Sequence, residues 1–110
     1  MTEKKDERRR IDCPLSGFED AFVIIPKHWL GAHCVKRDEA IRASREYKNV
    51  EITNLSISLY IADGFENIPG IEGDDPSKWQ LDQTPLIIIS WLSGVVLEDF
   101  LSAYNVPKNS

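Results

Sequence analysis

The chain has few cysteines, and the two that it has, Cys13 and Cys34, cannot build the disulfide framework of a small secreted domain. It also lacks an apolar signal region at its N-terminus. Its longest apolar stretch, residues 86–97, contains Ser90, Ser93 and Gly94 and falls short of the ~20 residues that cross a bilayer. These absences argue against a disulfide-rich secreted protein and a membrane-spanning protein. They predict a cytoplasmic protein with reduced thiols.

Basic residues are too few for a nucleic-acid surface. Lys and Arg total 13 against 18 Asp and Glu, which gives a net charge of −5, whereas nucleic-acid binding needs clustered positive charge. The densest basic run, Arg8-Arg9-Arg10, has acidic neighbours that cancel most of its field. The sequence therefore predicts neither a nucleic-acid partner nor a membrane partner.

The chain is also poor in groupings that could carry out chemistry. His28, His33 and Cys34 are close in sequence, and Cys13 could join them, but positions five apart on a helix do not share a face. The acidic residues 72–75 lack the ligand spacing of a calcium loop. A Cys34–His pair has no third orienting group, and no phosphate-binding glycine loop is present. We therefore predict a protein without catalytic residues, metal or cofactor; a small thiol or metal enzyme is the weakest of three hypotheses.

What the chain does have is a long apolar segment over residues 84–104. Thr84 is a suitable N-cap and Pro85 suits the first helical position. Ile88, Trp91 and Leu92 then recur at helical spacing, with Val95 following. The pattern predicts the central helix of a small helical domain.

The remaining segments divide into a tail, a strand, helices and a long connection. We expect residues 1–17 to form a disordered charged tail and residues 21–25 to form a strand or an extended arm. Residues 27–49 are expected to form one helix or two, and in the second case Asp38 would cap the second helix. Residues 52–62 fit both a half-buried strand and a helix capped by Thr53 or Asn54, and we favour the helix. Residues 63–83 form a connection in which Asp75 caps a short turn that seats Trp79 on the core.

These segments predict one mainly α domain. The 110 residues, of which 42% are hydrophobic, suffice for a single core. We expect a bundle of three to four helices with a short N-terminal extended segment over residues 18–106, followed by a C-terminal tail at 107–110.

Aromatic residues are plentiful for so short a chain, and leftover aromatic area beside a charged rim is typical of protein–protein contacts. By elimination, a binding or assembly role is favoured. The candidate partner-binding residues are Trp29, Leu30, Phe65, Trp79, Trp91 and Phe100.

The order of local patterns resembles the small tail assembly chaperones that tailed phages encode upstream of the tape-measure gene. Residues 22–26 precede Trp29-Leu30-Gly31 and an Arg/Glu/Ala-rich helix. Ile68-Pro69-Gly70 precedes the connection that bears Trp79. The run 85–91 then opens a long helix, and Val106-Pro107-Lys108 follows it.

The resemblance implies a mostly helical, non-enzymatic protein of the bacterial host cytoplasm. Such a protein associates with itself and with apolar stretches of the tape-measure protein, and possible partners include the tail tube protein. The alternative is a structural or completion protein that stays in the tail or head of the virion.

Overall fold

The computed structural model describes residues 8–103, which combine an antiparallel sheet with helices around one core. The strands are β1 Arg8–Asp12, β2 Phe22–Pro26 and β3 Gly64–Glu66, with β2 in the centre. The helices are α1 Gly31–Ala43, α2 Val50–Ile61, α3 Leu86–Leu92 and α4 Glu98–Ser102. A π-helical segment, Ser93–Leu97, joins α3 to α4 without a break, so residues 86–102 form one C-terminal helix. Short 3₁₀ turns lie at Arg45–Tyr47, Pro76–Lys78 and Leu81–Gln83.

The predicted mainly α bundle of three to four helices with a short N-terminal extended segment is wrong, because a three-stranded antiparallel sheet forms part of the fold. The expected strand at residues 21–25 is present as β2, and it needs hydrogen-bonding partners along both edges. β3 supplies one edge. The other comes from β1, whose residues the sequence analysis assigns to the charged tail. Residues 1–7 and 104–110, including the predicted C-terminal tail, lie outside the described residues.

The register of β1 on β2 explains how so charged a segment forms a strand. Ile11 lies opposite Val23, and Arg9 lies opposite Ile25. These two β1 residues are therefore on the same side of the sheet as the buried Val23 and Ile25. Arg10 points to the other face, where its guanidinium carbon lies 3.7 Å from the centre of the Phe22 ring. The sheet thus gives two arginines of the basic run defined positions.

Helix α2 occupies the centre of the helical layer, and the helix predicted for residues 52–62 is confirmed. Its cap is Asn49, whose side-chain oxygen accepts from the Ile52 N–H at 2.9 Å, and not Thr53 or Asn54. Five of its residues in succession are buried, residues 55–59, which is typical of a helix surrounded by other elements. The buried Ser56 hydroxyl donates to the Ala40 carbonyl at 3.2 Å, so this polar group is satisfied. The central position predicted for the 84–104 helix therefore belongs to α2.

Smaller differences concern where helices begin. Of the two alternatives for residues 27–49, the split at Asp38 is not observed, because α1 continues through this residue. Thr84 does not cap the C-terminal helix; its hydroxyl donates to the Pro69 carbonyl at 2.8 Å, and Pro85 occupies the cap position. The predicted role of Asp75 is confirmed, since its carboxylate accepts from the Ser77 N–H at 3.1 Å.

The π-helical segment keeps one face of the C-terminal helix in the core. The buried residues Ile88, Leu92, Val96 and Phe100 recur every four positions. In an α-helix each such step overshoots a full turn by about 40°, so the stripe would drift by about 120° over three steps. The wider i→i+5 turn at Ser93–Leu97 offsets this drift. Phe100 consequently remains in the core at the end of the helix.

A cluster around Asp99 joins the C-terminal helix to the sheet and to the start of α1. One carboxylate oxygen of Asp99 accepts from the Trp29 indole N–H and from the Arg9 guanidinium, both at 2.8 Å. The Arg9 guanidinium also donates to the Pro26 carbonyl at 3.1 Å. The Trp29 ring packs edge-on against Phe100 and His33. We call Asp99, Arg9 and Trp29 the Asp99 cluster.

The surroundings of Asp99 alter its acidity. Partial burial by itself would raise the pKa of the carboxyl group, but hydrogen bonds from Arg9 and Trp29 and the charge of Arg9 outweigh it. The net effect lowers the pKa of Asp99 below its ordinary value of 3.8. Ionised Asp99 therefore stabilises the fold above that value, and this contribution is lost as the pH falls through the lowered pKa.

We predict that Asp99→Asn lowers the free energy of unfolding by about 1–2 kcal/mol at neutral pH, because the hydrogen bonds from Arg9 and Trp29 would then go to a neutral acceptor at a partly exposed site. Urea unfolding of both proteins between pH 7 and pH 2.5 measures the effect. The difference between them should shrink toward zero as the pH falls, since the wild-type carboxylate becomes protonated.

Asp38→Asn is the matched control. Asp38 accepts from Arg37 at 3.0 Å on the exposed surface of α1, and within residues 8–103 it forms no ion pair with another element. The substitution should therefore change stability by no more than about 0.5 kcal/mol. Equal losses in the two variants would contradict a linking role for Asp99.

Candidate functional site

A large concavity lies between the start of α2 and the C-terminal helix, and we call it the α2–α3 groove. Its volume is about 850 Å³. Ile52, Leu81, Leu86 and Ile89 supply apolar surface along it. Ser90, Ser93 and Gly94 leave it open, because their small side chains do not fill the space beside the helix. The groove can therefore accept an elongated apolar object such as a helix.

Large apolar side chains are exposed at this end of the molecule. Leu86, which lines the groove, is 70% exposed, and its neighbour Ile87 is 52% exposed. Val50, at the start of α2, is 68% exposed. Leu30 and Val35 on the α1 side of the molecule are exposed to a similar extent, so what distinguishes Leu86 is its position on the lining of a groove.

The charged groups that line the groove are all acidic. Glu51, Asp82 and Glu98 contribute carboxylates, and no Lys or Arg of the described residues lines it. The groove thus combines apolar side chains with uncharged polar ones, Asn49, Asn54 and Thr84 among them, and with three carboxylates. This combination favours a ligand that is apolar on one face and carries positive charge beside that face.

The six residues predicted to contact a partner lie in four places, and the structure brings only two pairs of them together. Trp29 and Phe100 are in ring contact beside Asp99, and Phe100 is only 2% exposed, so it belongs to the core. Phe65 and Trp79 are in ring contact at a separate pocket beside β3. The other two, Leu30 and Trp91, are exposed at the start of α1 and half-buried on α3 respectively.

None of those six residues lines the α2–α3 groove. The signal that could have revealed it is the run Leu86–Ile89, four large apolar residues in succession. Successive residues point to different sides of a helix, so part of such a run must face away from the core. The small residues Ser90, Ser93 and Gly94 follow at i, i+3 and i+4 spacing, which places them on one face.

The candidate thiol and metal residues are dispersed. His28 is exposed, Cys34 is half-buried, and His33 is buried with its Nδ1 accepting from the Leu30 N–H at 2.9 Å. Cys13 is buried in the core cluster. Within residues 8–103 no group of three or more His, Cys, Asp or Glu side chains is placed to hold a metal ion. His33 instead serves the start of α1, where its imidazole satisfies a backbone donor.

The comparisons with known protein families, curated proteins and solved structures find no match for this chain. In the described part of the chain, no helix combines the length and the apolar character required to cross a bilayer. The features of the described residues that bear on function are therefore the groove and the surfaces around it.

Gly70 fixes the connection that runs from β3 to the groove, and we predict that Gly70→Ala lowers the free energy of unfolding by about 2–4 kcal/mol. Gly70 has a positive φ of 88°, and an added Cβ would lie 2.9 Å from both the Gln80 carbonyl oxygen and the Thr84 hydroxyl. Urea unfolding measures the loss.

Gly73→Ala is the control in the same connection. Gly73 also has a positive φ, 74°, but an added Cβ would meet nothing within 4 Å. Its cost should be that of the backbone conformation alone, about 1 kcal/mol. If Gly70→Ala costs no more than Gly73→Ala, the packing of Gly70 against residues 80–84 does not position this connection.

Proposed function

We propose that the protein is a non-catalytic assembly factor of phage tails, a chaperone that holds an apolar helical segment of the tape-measure protein in the α2–α3 groove. The observation that carries the proposal is the groove itself, with the exposed side chain of Leu86 on its lining. The proposed place of action is the cytoplasm of the bacterial host, before the tail tube protein polymerises around its client.

The shape of the groove supports a helical client. Amphipathic helices bind in apolar grooves through side chains at i, i+3, i+4 and i+7, and a floor of aliphatic side chains receives such anchors. Serine and glycine at the π-helical segment allow close approach of a second backbone. The exposed Leu86 can then pack along the side of the bound helix.

The carboxylates of the groove support a more specific client. Glu51, Asp82 and Glu98 would attract lysine or arginine residues that flank the apolar face of the bound helix. Such pairing raises the rate of encounter and disfavours acidic helices, and it weakens at high salt. We therefore propose that the bound tape-measure segment is apolar on one face and basic beside it.

We predict that Ser90→Trp blocks binding because an indole in place of the hydroxyl fills the groove. The test co-expresses the protein with the tape-measure protein of the same genome, measures how much of the client remains soluble and bound, and follows with titration of a purified client segment. The variant should lower the affinity at least about tenfold, as loss of a buried anchor does. Its melting temperature should stay within a few degrees of wild type, since Ser90 is exposed.

Ala32→Trp is the matched control, an equally large insertion at an exposed helical position outside the groove. It should bind the client as the wild type does. Equal affinity for Ser90→Trp and Ala32→Trp would remove the groove from the proposal, and a client that is equally soluble without the protein would contradict the chaperone role.

Mass spectrometry of purified phage particles separates the chaperone from a virion structural protein. A chaperone leaves the client when the tail tube forms and should be absent from particles. A stoichiometric presence in particles would contradict the chaperone and favour the structural alternative.

A further inference from the structure

The structure has a second concavity, independent of the groove, where β3 and the connection after it meet α1 and the end of α2. Its volume is about 660 Å³, within the range of small-ligand sites. Three aromatic residues line it, Tyr60 from α2, Phe65 from β3 and Trp79 from the connection. We call it the aromatic pocket.

The Trp79 ring packs edge to face against each of the other two rings. The Trp79 ring lies 5.7 Å from both Tyr60 and Phe65, measured between ring centres, with interplanar angles of 90° and 72°. Each of the three rings is half-buried and lines the pocket, so part of each ring is accessible from it. The negative faces of aromatic rings attract cations.

The position of Trp79 is fixed before any ligand binds. Its indole N–H donates to the Gly73 carbonyl at 3.1 Å, and the N–H of the next residue, Gln80, donates to the Gly70 carbonyl at 2.8 Å. Asp75 caps the short turn that precedes it. A pocket held in this way does not need to be ordered by its ligand, which lowers the cost of binding.

The charged residues that line the pocket are mostly acidic, so they favour a cation as the faces of the aromatic rings do. Glu39, Asp63, Glu66 and Asp74 line it, against Lys36 as the one basic residue of the lining. Within the described part of the chain, none of these four carboxylates forms an ion pair. Burial, and then the charge of Glu39, raises the pKa of the Tyr60 hydroxyl above its ordinary value of 10.0. The pocket therefore combines aromatic rings with an excess of negative charge, four carboxylates against the one ammonium group of Lys36.

We propose that the aromatic pocket binds an organic cation of the alkylammonium class, with Trp79, Tyr60 and Phe65 around the alkyl groups and the carboxylates around the charge. Methylated ammonium groups fit best, because they are large, weakly hydrated and apolar at their surface. The same chemistry occurs in a free quaternary amine and in a methylated lysine side chain of another protein.

The test titrates the full chain with choline and with its neutral isostere 3,3-dimethylbutanol, following the three indole N–H signals by NMR. Trp79→Phe identifies the signal of Trp79. We expect choline to shift that signal saturably and the signals of Trp29 and Trp91 little, and the neutral isostere to bind at least about tenfold more weakly. Equal binding of the two compounds, or no saturable shift with any cation tested, would overturn the proposal.

Two further arms test the charge and the source of the cation. Glu66→Gln with Asp74→Asn should weaken choline binding at least about fivefold, whereas Glu72→Gln, an exposed carboxylate of the same connection outside the pocket, should not. A peptide with trimethyllysine is compared with its unmethylated form. Tighter binding of the methylated peptide than of choline assigns the pocket to a protein side chain, and the reverse order assigns it to a free amine. Equal effects of the two sets of substitutions would overturn the role of the pocket's charge.

Discussion

The carboxylate of Asp99 is the point at which the separate parts of the chain meet. It accepts from Trp29, which lies just before α1, and from Arg9, which lies on β1. Through these two bonds one residue of the C-terminal helix is joined to the sheet and to the opening of the helical layer. The π-helical turn contributes to this arrangement, because it keeps Phe100 in the core while its neighbour Asp99 reaches the indole.

The parts of the fold that the sequence predicts well are those in which local preference and tertiary position agree. β2 combines β-branched residues with a terminal Pro26, and α2 has a cap, a helical stripe and an uncharged interior. β1 was missed because its composition is that of a solvated tail, with Ile11 as its one apolar residue. It pairs with the edge of β2, and its Arg9 pairs with Asp99, partners that are distant in sequence. Local patterns carry no information about either.

The candidate site was harder to predict, because a search for partner-binding residues among the aromatic side chains selects positions outside the groove. Trp29 and Phe100 pack against each other and contribute to the stability of the fold. Trp79 and Phe65 line a different concavity. The groove is defined by what is small, Ser90, Ser93 and Gly94, and by apolar side chains that the core leaves outside. Which members of an apolar run face outward depends on the helix rotation. Here the π-helical segment sets that rotation for the second half of the helix.

The position of β1 at the margin of the sheet has a consequence for behaviour at high concentration. An outermost strand offers unpaired amide and carbonyl groups that a second molecule could extend into a continuous ladder. Arg8, Arg9 and Arg10 are all exposed on that margin. Arg9 and Arg10 form ion pairs with Asp99 and Asp12, so the margin carries charged side chains of both signs. Charged side chains along an edge strand disfavour its pairing with the edge of a second molecule.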